Sequence, residues 1–437
     1  MTVEAILKEN GAGHPRVLIF VESDNGFGHF NIVDQVARKV QAQGGTAALA
    51  SGTFFHPGGV FKFGEAKQYH LPTVVWDHGK KDFANPVSGM LYAEDEAYQK
   101  MRKDEVKRAC EKFKPDVVVF ELYPFLARYR DTDLEAVKEF YPDKATRPKI
   151  ACLCRDIIHS SKPQETVQVI NDNFDHMLVR GDGVMNKIED CMPEFAAIKP
   201  KAEYLGNVVS AMPPRDVMPE GERPVFVFSG GGYKDMDRRF FNSAIHSRAK
   251  SAAFSKNPWK IVVSNNCTEE DFAKYQAEAL NEAPDGSIQV IRPFDNEEFR
   301  KLLSNSAAAI VRGSYNTTFE LVQAGVPFVV VPREMGINQE QTFRAEVLQS
   351  AGFARHVKQT ELSGAKVAHA LDEAAVARAS SLLKLDFSGA ERLAGRMCEL
   401  GNEHVKRMQA HAAIPGDAAT GVTGGPALEA ARQRAAG

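Results

Sequence analysis

The sequence predicts an α/β protein built of two Rossmann-like domains with a cleft between them. Short β-branched apolar runs alternate with amphipathic helical stretches, the order expected of parallel sheets covered by helices. The runs fall into two sets, one on each side of a proline-rich break. At 437 residues the chain is long enough for two domains or more, at ~100–200 residues each.

The first set of runs begins at Val17, Thr73, Asp116, Ile150 and His176. Between them lie patterns such as Ile32, Val33, Val36, Ala37 and Val40, one apolar helix face closed by Gly44. The second set begins at Val225, Ile261, Ile288, Ala307 and Val326. Pro213, Pro214, Pro219 and Gly221 crowd the stretch between the sets, so it reads as a linker. The division expected is a first domain over 1–212, a linker over 213–223, a second domain over 224–408 and a low-complexity tail over 409–437. The tail is rich in Ala, Gly, Thr and Pro and is expected to be mobile.

Composition narrows the function classes. Hydrophobic residues make up 43% and charged residues 25%, ordinary for a globular protein in water. A net charge of −3 argues against general nucleic-acid binding, which needs a basic surface, but leaves room for a local cationic pocket. No basic n-region and apolar h-region open the chain, and no apolar run reaches the ~18 residues of a membrane span. The expected location is cytoplasmic, with peripheral contact at the inner face of a membrane left open. The aromatic, basic stretch from Tyr123 to Arg130 suits such a contact, or simply a helix with packed aromatics. Six scattered cysteines do not make a disulfide framework. Cys152 and Cys154 read as one face of a buried strand, and no Cys or His pair has metal-ligand spacing, so no metal site is expected.

The most informative stretch runs from Arg312 to Pro332. Gly313 and Ser314 open a turn, Asn316 and Thr317 follow at a helix start, and Leu321, Val322 and Ala324 give that helix an apolar side. Gly325 suits its left-handed end, and Pro327 starts a buried strand. A polar loop feeding a helix N-terminus collects unpaired N–H groups and a positive dipole end, an anion site most often used for phosphate. Glu320 lies one turn in, where its carboxylate can hold ribose hydroxyls; Thr317-x-x-Glu320 also fits a capping box. A second glycine loop, Ser229-Gly230-Gly231-Gly232-Tyr233, follows the first strand of the second domain and allows backbone N–H groups to converge on an anion. A third loop holds Gln339, Glu340 and Gln341; donor-sugar contact and helix capping from Asn338 are both open there.

The segment resembles the nucleotide-sugar signature of GT-B glycosyltransferases, nearest to the MurG type. In that family an Arg-Ser-Gly turn, a Thr, a Glu three residues later and an Ala-Gly-x-Pro helix end bind the UDP half of the donor. Arg312, Thr317, Glu320 and Ala324-Gly325-Val326-Pro327 match it, with Gly313 and Ser314 in inverted order. The family's Asp-x-Gln-Gln element, which grips sugar hydroxyls, is represented by Gln341, with Glu340 in place of the first Gln.

In the first domain Gly26, Gly28 and His29 form a Gly-x-Gly-His loop after the first strand. The resemblance ties such a His to acceptor or base duty. Glu121 and Asp156 follow later strands, in Glu-Leu-Tyr-Pro-Phe and Arg-Asp-Ile elements like those of a less characterised MurG-like branch. They are rival bases, or they cap helices or pair with Arg128 or Arg155.

The resemblance implies transfer of a hexose or N-acetylhexosamine from a nucleoside-diphosphate sugar, UDP-linked by preference, to an acceptor hydroxyl on a lipid-linked molecule or a glycan. The reaction expected is inverting, needs no metal and uses no cofactor beyond the donor substrate. His29, Asp156 and Glu121 are the catalytic candidates. Gly230, Gly231, Gly232, Arg312, Ser314, Asn316, Thr317, Glu320, Gln339 and Gln341 are the donor-binding candidates, and Gly26, Gly28 and His29 face the acceptor. Hydrolysis or 2-epimerisation of a nucleotide sugar on the same fold, and a non-catalytic nucleotide-binding subunit of a membrane enzyme, are the alternatives.

Overall fold

The computed structural model describes residues 14–23, 28–53, 55–56, 59–60, 64–126, 128–219, 221–230, 234–263, 267–292, 295–334, 339–377 and 384–413. Among these, two parallel sheets carry the architecture.

The first sheet is formed by Arg16–Phe20 (β1), Thr46–Ser51 (β2), Lys67–His70 (β3), Val117–Glu121 (β4), Lys149–Arg155 (β5), His176–Arg180 (β6) and Ala202–Tyr204 (β7). Their order is β7-β6-β5-β4-β1-β2-β3. The inner strands are apolar on both faces because helices cover both, as parallel sheets require. Cys152 and Cys154 point into one of these cores together.

The expected strand at Thr73 does not join the sheet. Val75–Asp77 instead pairs antiparallel with Asp82–Ala84 as a separate hairpin. Its place at the sheet edge is taken by β3, whose polar residues suit an exposed edge strand.

The second sheet is formed by Val225–Phe228 (β8), Trp259–Val262 (β9), Ile288–Ile291 (β10), Ala308–Val311 (β11), Phe328–Val330 (β12) and Ala354–His356 (β13), in the order β10-β9-β8-β11-β12-β13. In each sheet the strand order reverses at one point, between β1 and β4 in the first and between β8 and β11 in the second. Ligands of open α/β sheets bind where that reversal parts the loops at the strands' carboxyl ends.

Five helices frame the site: Gly28–Ala42 (α1), Lys234–Ile245 (α2), Tyr315–Ala324 (α3), Glu340–Ser350 (α4) and Gly389–Ala413 (α5). The connection at 213–219 has no regular structure and is pinned to the second sheet's unit, with Arg215 Nη2 donating to the Ser306 carbonyl and the Asp216 amide to Asn305 Oδ1, both at 2.7 Å.

Helix α5 corrects the domain boundary drawn at residue 408. Leu393, Ala394, Met397 and Leu400 are buried with Val17, Val33 and Val36 in the first domain's core. The chain thus returns to the first domain after finishing the second, and the helix runs on to Ala413, past the expected start of the tail. Residues 414–437 lie outside the described residues. None of the described helices is long and apolar enough to cross a membrane.

The two chain crossings are stitched together. The Asn207 amide donates to the Asp386 carbonyl at 2.7 Å, and the Gly389 amide to the Asn207 carbonyl at 3.1 Å. A Cβ at residue 389 would lie 2.4 Å from the Gly206 carbonyl oxygen. We expect Gly389→Ala to force these segments apart at a cost of about 1–3 kcal/mol in urea unfolding. An unchanged midpoint and slope would show that the crossing tolerates the added methyl.

Candidate functional site

The site is assembled from the two reversal points. After β1 the chain enters α1, whose first turn carries Gly28 and His29. The neighbouring β4 ends on Glu121, which is 1% exposed. Glu121 accepts from His29 Nδ1 through both carboxylate oxygens, at 2.9 and 3.0 Å. Burial pushes the Glu121 carboxyl up, but His29, Arg180 and Arg130 outweigh it and hold the group below its ordinary value. Arg130 Nη1 also bonds the Glu121 carbonyl at 2.7 Å. The imidazole is the more exposed member of the pair. Glu121 is thus a direct hydrogen-bond partner of His29.

Asp156 follows the neighbouring strand β5 and shares Arg180 with Glu121. It is 4% exposed and its Oδ1 accepts its neighbour's amide, that of Ile157, at 3.0 Å. Burial raises its carboxyl to about 6, against the opposing pull of Arg344. It packs on Gly181, where a Cβ would come within 2.6 Å of its own. Arg155 pairs with Glu340 instead, and the Arg128 side chain lies outside the described residues. Gly26 lies outside the described residues.

In the second domain, Ser314 is the N-cap residue of α3 and makes no side-chain cap bond. Thr317 is inside the helix, so Thr317 and Glu320 do not form a capping box. Glu320 is buried at 7% exposure, and burial raises its carboxyl to about 7 despite the pull of Arg300. Gly313 has a steric reason: a Cβ there would lie 2.8 Å from the Gln341 carbonyl oxygen. Gln341 Oε1 in turn accepts the Arg333 amide at 2.9 Å. Gln339 is exposed and precedes α4 as its N-cap, the position expected for Asn338, which is outside the described residues.

Arg312 is buried at the end of β11. Its guanidinium is buried over the Phe240 ring, 4.3 Å from its centre, and donates to the Val331 carbonyl at 3.2 Å and to Gln359 Oε1. Asp237 on α2 lies 3.7 Å from Arg312 Nη2 and 3.0 Å from Arg333 Nη2. Arg333 also donates to the Ser229 carbonyl at 3.0 Å. Burial, then Arg333, lower the Arg312 group to about 9, with Asp237 opposing. Two cations thus share one aspartate beside Ser229 and Gly230, whose φ is +75°. Gly231 and Gly232 lie outside the described residues.

The two halves meet closely. A Cβ on Gly28 would sit 3.7 Å from Asn316 Nδ2, so the His29 turn lies against the start of α3. Tyr315 and Phe319 are buried with Phe30 and Val33. Beside them Glu340 takes Arg155 Nη2 at 2.8 Å from the first domain and Arg344 Nη2 at 2.5 Å from its own helix. Arg344 Nη1 bonds the Gly313 carbonyl at 2.7 Å. Burial alone would raise the Glu340 carboxyl, but Arg155 and Arg344 lower it to about 2. Arg155 and Arg344, like Arg180, were not singled out as site residues from the sequence. Their partners are distant in the chain, and only an arginine after a strand or on a helix was visible.

The comparisons with known proteins follow this geometry. Residues 238–384 match the glycosyltransferase family 28 C-terminal domain. No curated protein sequence matches the chain. Among solved structures, the calicheamicin glycosyltransferase CalG4 is similar at 14% identity and a TM-score of 0.53, over 93% of this chain and 99% of that one. MurG of Acinetobacter baumannii is similar at 15% identity and a TM-score of 0.50, over 91% and 95%. A putative UDP-N-acetylglucosamine 2-epimerase from Listeria monocytogenes is similar at 12% identity and a TM-score of 0.54, over 90% and 97%. The fold, two Rossmann-like domains, is shared with these structures.

Two predictions follow from the charges. Glu340→Gln strands Arg155 and Arg344 and should cost about 3–5 kcal/mol in urea unfolding at pH 7. Because the folded Glu340 value lies below the unfolded one of 4.5, its stabilisation is full above 4.5 and fades as pH falls toward 2. The gap between wild type and variant should close over that window; a gap constant with pH would contradict the ion pair. Glu320 has the opposite sign. Its folded value of about 7 exceeds 4.5, so its contribution is present below 4.5 and lost as pH rises through 7. Glu320→Gln should therefore melt higher than wild type at pH 8, by up to ~3 kcal/mol, and not at pH 4. Equal melting at both pH values would refute the buried, reluctant carboxylate.

Proposed function

We propose that the chain is a glycosyltransferase that moves a hexose or N-acetylhexosamine from a nucleoside-diphosphate sugar, UDP-linked by preference, to an acceptor hydroxyl with inversion. The observation that carries this reading is the His29–Glu121 pair seated against the start of α3. A buried carboxylate on Nδ1 orients the ring and stabilises the imidazolium, which leaves Nε2 to take a proton. In the proposed step the acceptor hydroxyl gives its proton to Nε2 and its oxygen bonds the anomeric carbon. The bond from that carbon to the diphosphate breaks, and the diphosphate leaves with the electron pair.

The start of α3, the Ser229–Gly230 turn and the Arg312–Arg333 pair would receive the diphosphate. An anion there would face the guanidinium groups of Arg312 and Arg333 beside the Ser229 turn. Preorganised donors of this kind are commonly worth ~2.7–4 kcal/mol each. Glu320, ionised, would accept two ribose hydroxyls, and Gln339 and Gln341 would meet the sugar. The family 28 match over 238–384 supports this reading of the second domain. No metal and no cofactor are invoked, and the acceptor is a hydroxyl on a lipid-linked molecule or a glycan.

A 2-epimerase would need further acidic residues around the sugar, and Glu340 is the candidate for one. Glu340 is instead held by Arg155 and Arg344, so that support is gone. A non-catalytic subunit would have no use for the His29–Glu121 pair.

Calorimetric titration with UDP, GDP and TDP tests the donor half; binding of none of them ends the proposal. His29→Ala should keep nucleotide binding while kcat for sugar transfer falls by ~10²–10⁴. Glu121→Gln should fall by about 10² or more, since the amide removes the charge that steadies the imidazolium. Full transfer by His29→Ala would move the base elsewhere.

A further inference from the structure

Arg180 ends β6 and is 3% exposed. Its Nη2 lies 3.8 Å from Glu121 Oε1, beyond hydrogen-bond reach, and its guanidinium carbon lies 4.6 Å from the centre of the Tyr315 ring. Its Nε is buried with no hydrogen-bond partner among the described residues. Arg180 spans two domains through a stacked face on Tyr315 and Coulombic interactions with Glu121, Asp156 and Glu340. A planar guanidinium can do both at once, whereas an ammonium cannot.

Tyr315 is the first residue of α3, and it is tethered at its other end. Its hydroxyl accepts the Val208 amide at 3.1 Å and lies 3.4 Å from Asn207 Oδ1. Asn207 belongs to the stitched crossing, through its bonds with Asp386 and Gly389. One path of contacts therefore runs from the Tyr315 ring at the start of α3 through Arg180 to Glu121, and from Glu121 to His29.

We propose that Arg180 and Tyr315 form a positioning pair that transmits the seating of α3 to the His29–Glu121 pair, fixing the imidazole in one orientation and tautomer only when the second domain is docked. The proposal rests on the reading of His29 as the base. It gives the donor domain a direct hold on the acceptor-side machinery, so that proton removal is prepared where the donor helix is in place.

The test is a ¹⁵N spectrum of the full chain labelled at histidine, with the His29 signals assigned by their loss in His29→Gln. Above neutral pH the wild type should show one protonated and one unprotonated ring nitrogen, well separated. In Arg180→Gln and in Tyr315→Ala the two shifts should converge as the tautomers average. Transfer should fall about 10- to 100-fold, while UDP still raises the melting temperature. Tyr315→Phe keeps the ring under the guanidinium and should retain the separated pair. Wild-type His29 shifts in folded Arg180→Gln or Tyr315→Ala would overturn the proposal, and Tyr315→Ala suffices if Arg180→Gln does not fold. Averaged shifts in Tyr315→Phe would also overturn it, because the hydroxyl would then be the link. If the wild type transfers no sugar, the function proposed above fails, and the spectra still decide the positioning pair.

Discussion

Glu340 sits between Arg155 and Arg344, and the relation of the two domains turns on that burial. A lone carboxylate in such a place would be strongly destabilised, and so would either arginine. Each group is tolerable only because the others are present, which makes the junction cooperative. Arg344 extends the constraint to the Gly313 carbonyl, so the loop that opens α3 is fixed by the same charges that join the domains. An apolar junction could hold the domains together equally well. It could not place a loop carbonyl and a helix start by directional bonds.

The same logic orders the charges toward the cleft. On the second-domain side, Asp237 is shared by Arg312 and Arg333 beside the Ser229 turn. On the first-domain side, Glu121 is surrounded by His29, Arg180 and Arg130. Two arginines thus gather at the Ser229 turn, and an ionised carboxylate lies behind the His29 imidazole. Glu320 is the exception, a buried carboxylate with only a distant arginine to favour its charge. Partners that come with a ligand, such as two hydroxyl donors, would relieve it. Capping does not account for its burial, since Thr317 lies inside the helix and the N-cap position is Ser314.

Much of the fold was legible because parallel strands buried on both faces leave continuous apolar runs, as at Val117–Glu121 and Phe328–Val330. The edge strand Lys67–His70 was not legible, because an exposed edge carries no such run. Thr46–Ser51 was missed because its alanines fit a helix as readily as a strand. Helix α5 hides its allegiance for a different reason. Its apolar stripe shows that it packs, and nothing local shows on which domain. At the site, the sequence gathered His29, Glu121 and the 312–320 segment through their positions after strands. It could not pair His29 with Glu121 across 92 residues, nor separate a surface arginine from Arg180, Arg333 or Arg344. Those distinctions depend on contacts between segments far apart in the chain.

The departures from the resembled pattern are best understood together. Gly313 and Ser314 are inverted, and Glu340 stands where a glutamine was expected. In the folded chain both departures meet at Arg344, which bonds the Gly313 carbonyl through Nη1 and Glu340 through Nη2. Gly313 must lack a side chain because the Gln341 backbone, next to Glu340, crosses within 2.8 Å of its Cβ position. An ionised Glu340 draws Arg155 across the junction, and a neutral amide could not balance two buried guanidinium groups. The inversion and the carboxylate are therefore parts of one arrangement, in which a side chain otherwise free to meet the sugar is given over to joining the domains. Under the proposed function, recognition of the sugar would then fall more heavily on Gln341, on the exposed Gln339 and on whatever the first domain presents across the cleft.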